Sequence, residues 1–103
     1  MNLTAPFLAG ALLCNCIPHL VAGLQGEPFP TPFATPHGVG DSGPLLNVIW
    51  GFANLVVGLF LLSRHPPAAI LGPEVAALLC GALVIGIFCG LHFGRVKRAR
   101  TRR

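Results

Sequence analysis

Residues 3–24, LTAPFLAGALLCNCIPHLVAGL, run for 22 positions without a charged side chain, interrupted only by Thr4, Asn15 and His19. As a helix this stretch reaches about 33 Å, enough to cross a hydrocarbon core of ~30 Å. Helix is the expected form, because in lipid every backbone N–H and C=O must find its partner inside the segment. Two further stretches repeat the pattern. Residues 44–63, PLLNVIWGFANLVVGLFLLS, are 20 residues broken only by Asn47 and Asn54 before Ser63, and residues 74–94, EVAALLCGALVIGIFCGLHFG, are 21 with His92 near their end. Asp41 and Ser42 stand before Pro44 as expected cap residues, while Gly72 and Pro73 set up the third stretch with Glu74 in its first turn, where the helix dipole favours an acid. The expectation is an all-α transmembrane bundle of three spans, with a Pro- and Gly-rich loop at 25–43 and a basic tail at 95–103.

Composition points the same way. Of 103 residues, 53% are hydrophobic and 10% charged, against about 25% charged in a soluble domain. Six of the seven Lys and Arg residues (Arg95, Lys97, Arg98, Arg100, Arg102, Arg103) crowd the last nine positions. A basic segment directly following an apolar run is expected to meet anionic lipid, at roughly 1 kcal/mol per residue, and not nucleic acid. By the positive-inside rule this end is cytoplasmic, so three spans place the N-terminus outside and the 25–43 loop inside. Arg64, in the turn assigned to the outer side, is the single dissenting charge. Val21-Ala22-Gly23 loosely resembles a signal-peptide cleavage site, but no Lys or Arg precedes Arg64. The basic n-region is thus missing and the first span is expected to be retained.

Antiparallel spans bring the end of the first, the start of the second and the end of the third to one membrane side, whichever way the protein is oriented. The polar residues gather there. His19 lies roughly 8 Å from its helix end, Asn47 about 5 Å from the start of the second span and His92 about 3 Å from its end, with Asn15 and Asn54 deeper. At ~100° per residue, Thr4, Ala11, Asn15, His19 and Ala22 share one wedge of the first span, and Asn47, Gly51, Asn54 and Gly58 share one of the second, with Trp50 beside them. Two readings follow. The amides either bind helices together, at ~0.6 kcal/mol per interhelical bond, or Asn15, His19, Asn47, Trp50 and Asn54 line a cavity, since strongly polar groups in a span by default mark a site. Pro18, without an N–H, frees the carbonyl of Cys14 close by. On the third span Ala82, Gly86, Gly90 and Gly94 recur every four residues, a small-residue pattern suited to helix packing.

Cys14, Cys16, Cys80 and Cys89 share no helix face within either helix and include no CxxC pair, so they read as small apolar fillers, not as metal ligands. His19 and His92 could in principle hold a haem between helices, but their depths differ by several ångströms, and no metal or cofactor is expected. His37 and His65 fall in loops and are expected to be solvated. Without a Ser-His-Asp set, a carboxylate pair, a P-loop or GxGxxG, an enzyme is the least supported class.

The runs Asn15-Cys16-Ile17-Pro18-His19-Leu20-Val21-Ala22-Gly23, Phe29-Pro30-Thr31-Pro32-Phe33-Ala34 and Asn47-Val48-Ile49-Trp50-Gly51-Phe52-Ala53-Asn54 together resemble small bacterial integral membrane proteins of unassigned function, over roughly residues 15–60. That resemblance implies a bacterial inner-membrane setting and no activity. In size and topology alone the chain also looks like the three-span half-transporters of the SemiSWEET type, which dimerise around a sugar pocket. Their Pro-Gln pair is absent, Pro18 being followed by His19, and the analogy transfers no residue role. Two functions are therefore expected. In the first, the protein acts by association, with itself or as an accessory subunit of a membrane complex, through the third-span glycines. In the second, it is a small transporter or ligand-binding protomer built around the polar cluster.

Overall fold

The computed structural model describes residues 2–101. Three helices, α1 (Thr4–Leu24), α2 (Pro44–Arg64) and α3 (Pro73–Thr101), are each long and apolar enough to cross a membrane. Between α1 and α2 lies a small antiparallel hairpin of two-residue strands, β1 (Phe29–Pro30) and β2 (Asp41–Ser42), with Phe29 opposite Ser42 and Pro30 opposite Asp41. The fold is thus the expected three-helix bundle, with spans matching to within a residue at their starts.

Two local expectations differ. Asp41 and Ser42 do not cap α2; the N-cap is Gly43, with no side-chain bond, and Pro44 occupies the first turn. Both residues are in β2 instead, where pairing with β1 takes up the chain. Secondly, α3 does not stop at Gly94 but continues through the basic segment to Thr101. The onset of charge marks where hydrocarbon would end, whereas the helix itself has no breaker there: Arg, Lys and Ala are good helix formers, and cations suit a helix C-terminus. Arg102 and Arg103 lie outside the described residues.

α1 is the central element. Both α2 and α3 pack against it, and they scarcely touch one another. The α1–α2 contact is antiparallel and made by the small face of α2: its buried residues are Asn47, Gly51, Asn54 and Gly58, the wedge read from the sequence. A Cβ on Gly51 would sit 2.8 Å from the Leu20 side chain, and one on Gly58 would sit 2.9 Å from that of Leu13. The α1–α3 contact is parallel and closer still. Gly10 abuts the carbonyl oxygen of Leu78 and Gly81 that of Phe7, so neither position has room for a side chain. The backbones meet at Gly because dispersion between bare helices is the main attraction available in lipid.

α1 runs unbroken through Pro18 and ends in a Schellman turn. Glu27 N–H bonds the carbonyl of Ala22 at 2.9 Å and Gly26 N–H that of Gly23 at 3.1 Å. Gly26 has φ 74°, the left-handed conformation this motif needs. That turn sends the chain back over the ends of α2 and α3, which positions the loop for the site.

Candidate functional site

Asn47 joins the loop to the bundle. It is 0% exposed, and its Nδ2 donates toward three backbone carbonyls, Phe29 at 3.0 Å and Ser42 and Gly43 at 3.1 Å each. Three acceptors around one NH₂ fix the orientation of the amide, so Oδ1 is the atom that faces His19, 2.8 Å from its Nδ1. An amide oxygen only accepts; His19 therefore carries its proton on Nδ1, and the neutral ring offers Nε2 as an acceptor. Among the described residues Nε2 has no hydrogen-bond partner, although His19 is 2% exposed.

One helical turn deeper, Asn15 Nδ2 donates to Asn54 Oδ1 at 3.1 Å, and Asn54 Nδ2 donates to the Trp50 carbonyl at 2.8 Å. The thiol of Cys89 approaches Asn15 Oδ1 at 3.7 Å, tying α3 weakly into the same layer. The five residues singled out in the sequence are thus brought together, in two roles. Asn15, His19 and Trp50 line a cavity. Asn47 and Asn54 stand behind that wall and hold it, with their own polar atoms spent on partners.

The cavity fills the cleft that α2 and α3 leave between them, with α1 as its floor. Its volume is about 740 Å³, within the usual range of about 300–1,000 Å³ for small-molecule sites. The wall is mostly apolar, and its polar residues are confined to one end. Toward the N-terminal end of α1 it is made of Leu8, Ala11, Leu12, Val57, Leu61 and Ile85, all apolar. Toward the loop the polar groups of the wall, Asn15, His19, Trp50 and His92, stand among Phe88 and Phe93, closed over by Pro30, Thr31, Pro32, His37 and Gly38. From Asn15 back to Leu8 the apolar portion measures roughly 10 Å along α1.

Two histidines outside the five expected cavity residues also line it. His92 Nε2–H donates to the Gly38 carbonyl at 2.6 Å, and His37 Nδ1–H donates to the Pro32 carbonyl at 2.8 Å. His92 was placed on the right side of the membrane by counting, and its contact was out of reach because Gly38 is 54 residues away. His37 carried no signal at all: its place depends on the path of a loop that has no periodicity. Gly38 itself has φ 71°, so the turn presenting its carbonyl to His92 favours glycine.

Aromatic edges seal the loop onto the bundle. Phe33 meets Trp50 edge-on at 4.9 Å between centroids, and Phe29 meets His19 at 5.4 Å and Phe93 at 4.7 Å. Thr31 and Ser42 share a buried hydroxyl bond across the hairpin. Outside, Arg100 of the extended α3 grips both oxygens of Asp41 at 3.0 Å each and the Val39 carbonyl at 2.6 Å. The basic segment is therefore partly an internal strut.

The Ala82, Gly86, Gly90 and Gly94 stripe is not what brings α3 onto α1; that contact runs through Ala77 and Gly81. Gly86 sits 3.7 Å from the Cys14 sulfur, Gly94 neighbours Arg98 of its own helix, and Gly90 faces open space. All four cysteines are free, with the Cys16 thiol donating to the Leu13 carbonyl at 2.9 Å. Among the described residues no three His, Cys, Asp or Glu side chains converge as metal ligands would. No family model, curated protein or solved structure matches the chain.

Proposed function

We propose that this chain is a multi-pass membrane protein that binds one small amphipathic molecule in the cleft between α2 and α3, and that it acts by binding, not by catalysis. The observation that carries this reading is the polarity gradient along a cavity of about 740 Å³. An apolar chain lies against Leu12, Val57 and Ile85, and a polar head meets His19, Asn15 and His92 under the loop. A bundle held only by polar bonds between helices has no need of such a cleft, and close packing of α2 on α3 would have removed it. The setting we assign is the bacterial inner membrane, with the N-terminus outside and the C-terminus cytoplasmic; the basic end of α3 and the resemblance over residues 15–60 support it.

Trp50 is the only tryptophan, there is no tyrosine, and Trp50 lines the cavity. Its emission is therefore a reporter of occupancy. In nanodiscs, an alkyl amphipath brominated along its chain is expected to quench Trp50 saturably, and the double variant Leu12→Phe/Val57→Phe, which fills the apolar portion and keeps Trp50 as the sole tryptophan, is expected to abolish the saturable component. Quenching that rises only in proportion to the membrane concentration of probe, in both proteins alike, rejects the reading.

A second reading, association through the third-span glycines with another copy or another membrane protein, rests on Gly90, which presents bare backbone outward with no neighbour among the described residues. Crosslinking in native membranes tests it. Gly90→Leu is expected to remove the crosslinked species while insertion is unchanged, and an identical pattern from the variant counts against association.

A further inference from the structure

Two residues that line the loop end of the cavity, Trp50 and His19, each carry a polar atom without a partner, and the needs of the two atoms are complementary. The Trp50 indole Nε1–H is enclosed and, among the described residues, has no acceptor. His19 Nε2 is an acceptor without a donor, because Nδ1 holds the proton and gives it to Asn47. The two rings are neighbours, 6.4 Å apart between centroids and steeply inclined, and both belong to the cavity wall. An unpaired buried donor is costly to leave unanswered, and in lipid no bulk water is at hand to relieve it.

We infer that the head group recognised here is a neutral hydroxyl, seated between Trp50 and His19, so that the cleft takes alcohol-headed amphipaths. The inference rests on the binding function proposed above. A hydroxyl is the simplest group that answers both atoms: its oxygen accepts from Trp50 Nε1–H while its proton goes to His19 Nε2. A carbonyl or ether oxygen satisfies the indole alone. An ammonium satisfies the imidazole alone and brings a charge that no carboxylate on the cavity wall offsets. A carboxylate satisfies the indole and sets its remaining lone pairs against His19 Nε2. Two further polar groups of the wall lie close by: His92 and His37 each donate one ring N–H to a carbonyl, which leaves the second ring nitrogen of each for a ligand. A head with more than one hydroxyl, as in a monoacylglycerol, would reach these as well.

The test is a displacement series in nanodiscs, with the brominated amphipath already bound and Trp50 emission recovering as it leaves. The competitors share one chain and differ only in the head: decanol, decyl methyl ether, decanal and decylamine. Decanol is expected to displace the probe at about tenfold lower concentration or better than the ether and the aldehyde, the penalty for leaving His19 Nε2 unanswered. It is also expected to outcompete the amine. If the four displace the probe equally, the cleft binds chains without reading heads: the hydroxyl inference is overturned and the binding function stands. An ether or aldehyde that outcompetes decanol overturns the inference equally, by making the site a reader of acceptors. If the probe itself fails to bind saturably, the binding function falls and this inference with it.

Discussion

Asn47 and Asn54 are the same residue type on the same face of α2, yet their surroundings assign them different weights. Asn47 has four partners on three segments of chain, whereas Asn54 has Asn15 and a carbonyl of its own helix. Removing the Asn47 side chain strands the His19 Nδ1–H and takes the amide donor from the Phe29 and Ser42 carbonyls, while Gly43 keeps the backbone N–H of residue 47; removing Asn54 strands one amide. Asn47→Ala is accordingly expected to cost about 3 kcal/mol of stability, and Asn54→Ala about 1 kcal/mol, read as shifts in unfolding midpoint in detergent. The reverse order would mean that the deeper pair, not the loop clamp, holds the bundle. That these two amides face the same way as His19 and Asn15 follows from angular arithmetic on an uncharged helix, and the structure keeps it. That Asn47 serves the loop does not follow from that arithmetic, since Phe29 and Asn47 meet only through the course of a Pro-rich segment whose turns leave no periodic trace. The division of five polar residues into wall and backing has the same origin: burial by a loop is a long-range fact.

Each helix was readable from the length of chain it can run without charge, because hydrocarbon tolerates nothing else. Which glycines bring the helices together was not. Spacing singled out Ala82, Gly86, Gly90 and Gly94, but every-fourth-residue spacing names a face without naming what it meets. The partner of α3 in the protomer is set by the register of α1, and that register puts Gly10 on Leu78 and Gly81 on Phe7. Gly81→Ala is therefore expected to push α3 off α1 and cost about 1–3 kcal/mol, while Gly90→Ala stays within about 0.5 kcal/mol. Thermal unfolding in detergent separates the two, and equal penalties would mean that α3 is held by its outer face. The far end of α3 is held differently. Its last two turns stand outside the apolar stretch, where a helix is held by propensity and by whatever it touches; here it touches the loop through Arg100. Arg100→Gln removes an exposed pair that contributes at most about 1 kcal/mol globally. Its expected effect is local: faster amide exchange at Val39 and Gly40 with no change in the exchange of α1. Unchanged exchange in the loop would show that Arg100 follows the loop without restraining it.

At the scale of the whole molecule, sidedness has two parts with different physical origins. The first is relative. The loop over the cavity and the basic end of α3 lie on one side, as Arg100 on Asp41 and His92 on Gly38 require, while the turn between α2 and α3 lies on the other. The second, the absolute orientation proposed above, rests on the six basic residues at 95–103 outweighing Arg64, since cations are retained on the cytoplasmic side during insertion. Both are read by one labelling experiment. In a background with the four native cysteines changed to alanine, Val39→Cys, Ala68→Cys and Thr101→Cys each place a thiol at an exposed position. A membrane-impermeant maleimide applied to right-side-out vesicles is expected to label Ala68→Cys alone, and applied to inverted vesicles to label Val39→Cys and Thr101→Cys. Complete inversion of that pattern would reverse the orientation and leave the fold untouched; it would also place the mouth of the cavity outside, where a ligand arrives from the environment instead of from the cytoplasmic leaflet. Labelling of Val39→Cys and Thr101→Cys from opposite sides would break the fold itself, because no arrangement of these three helices that keeps His92 on the Gly38 carbonyl allows it.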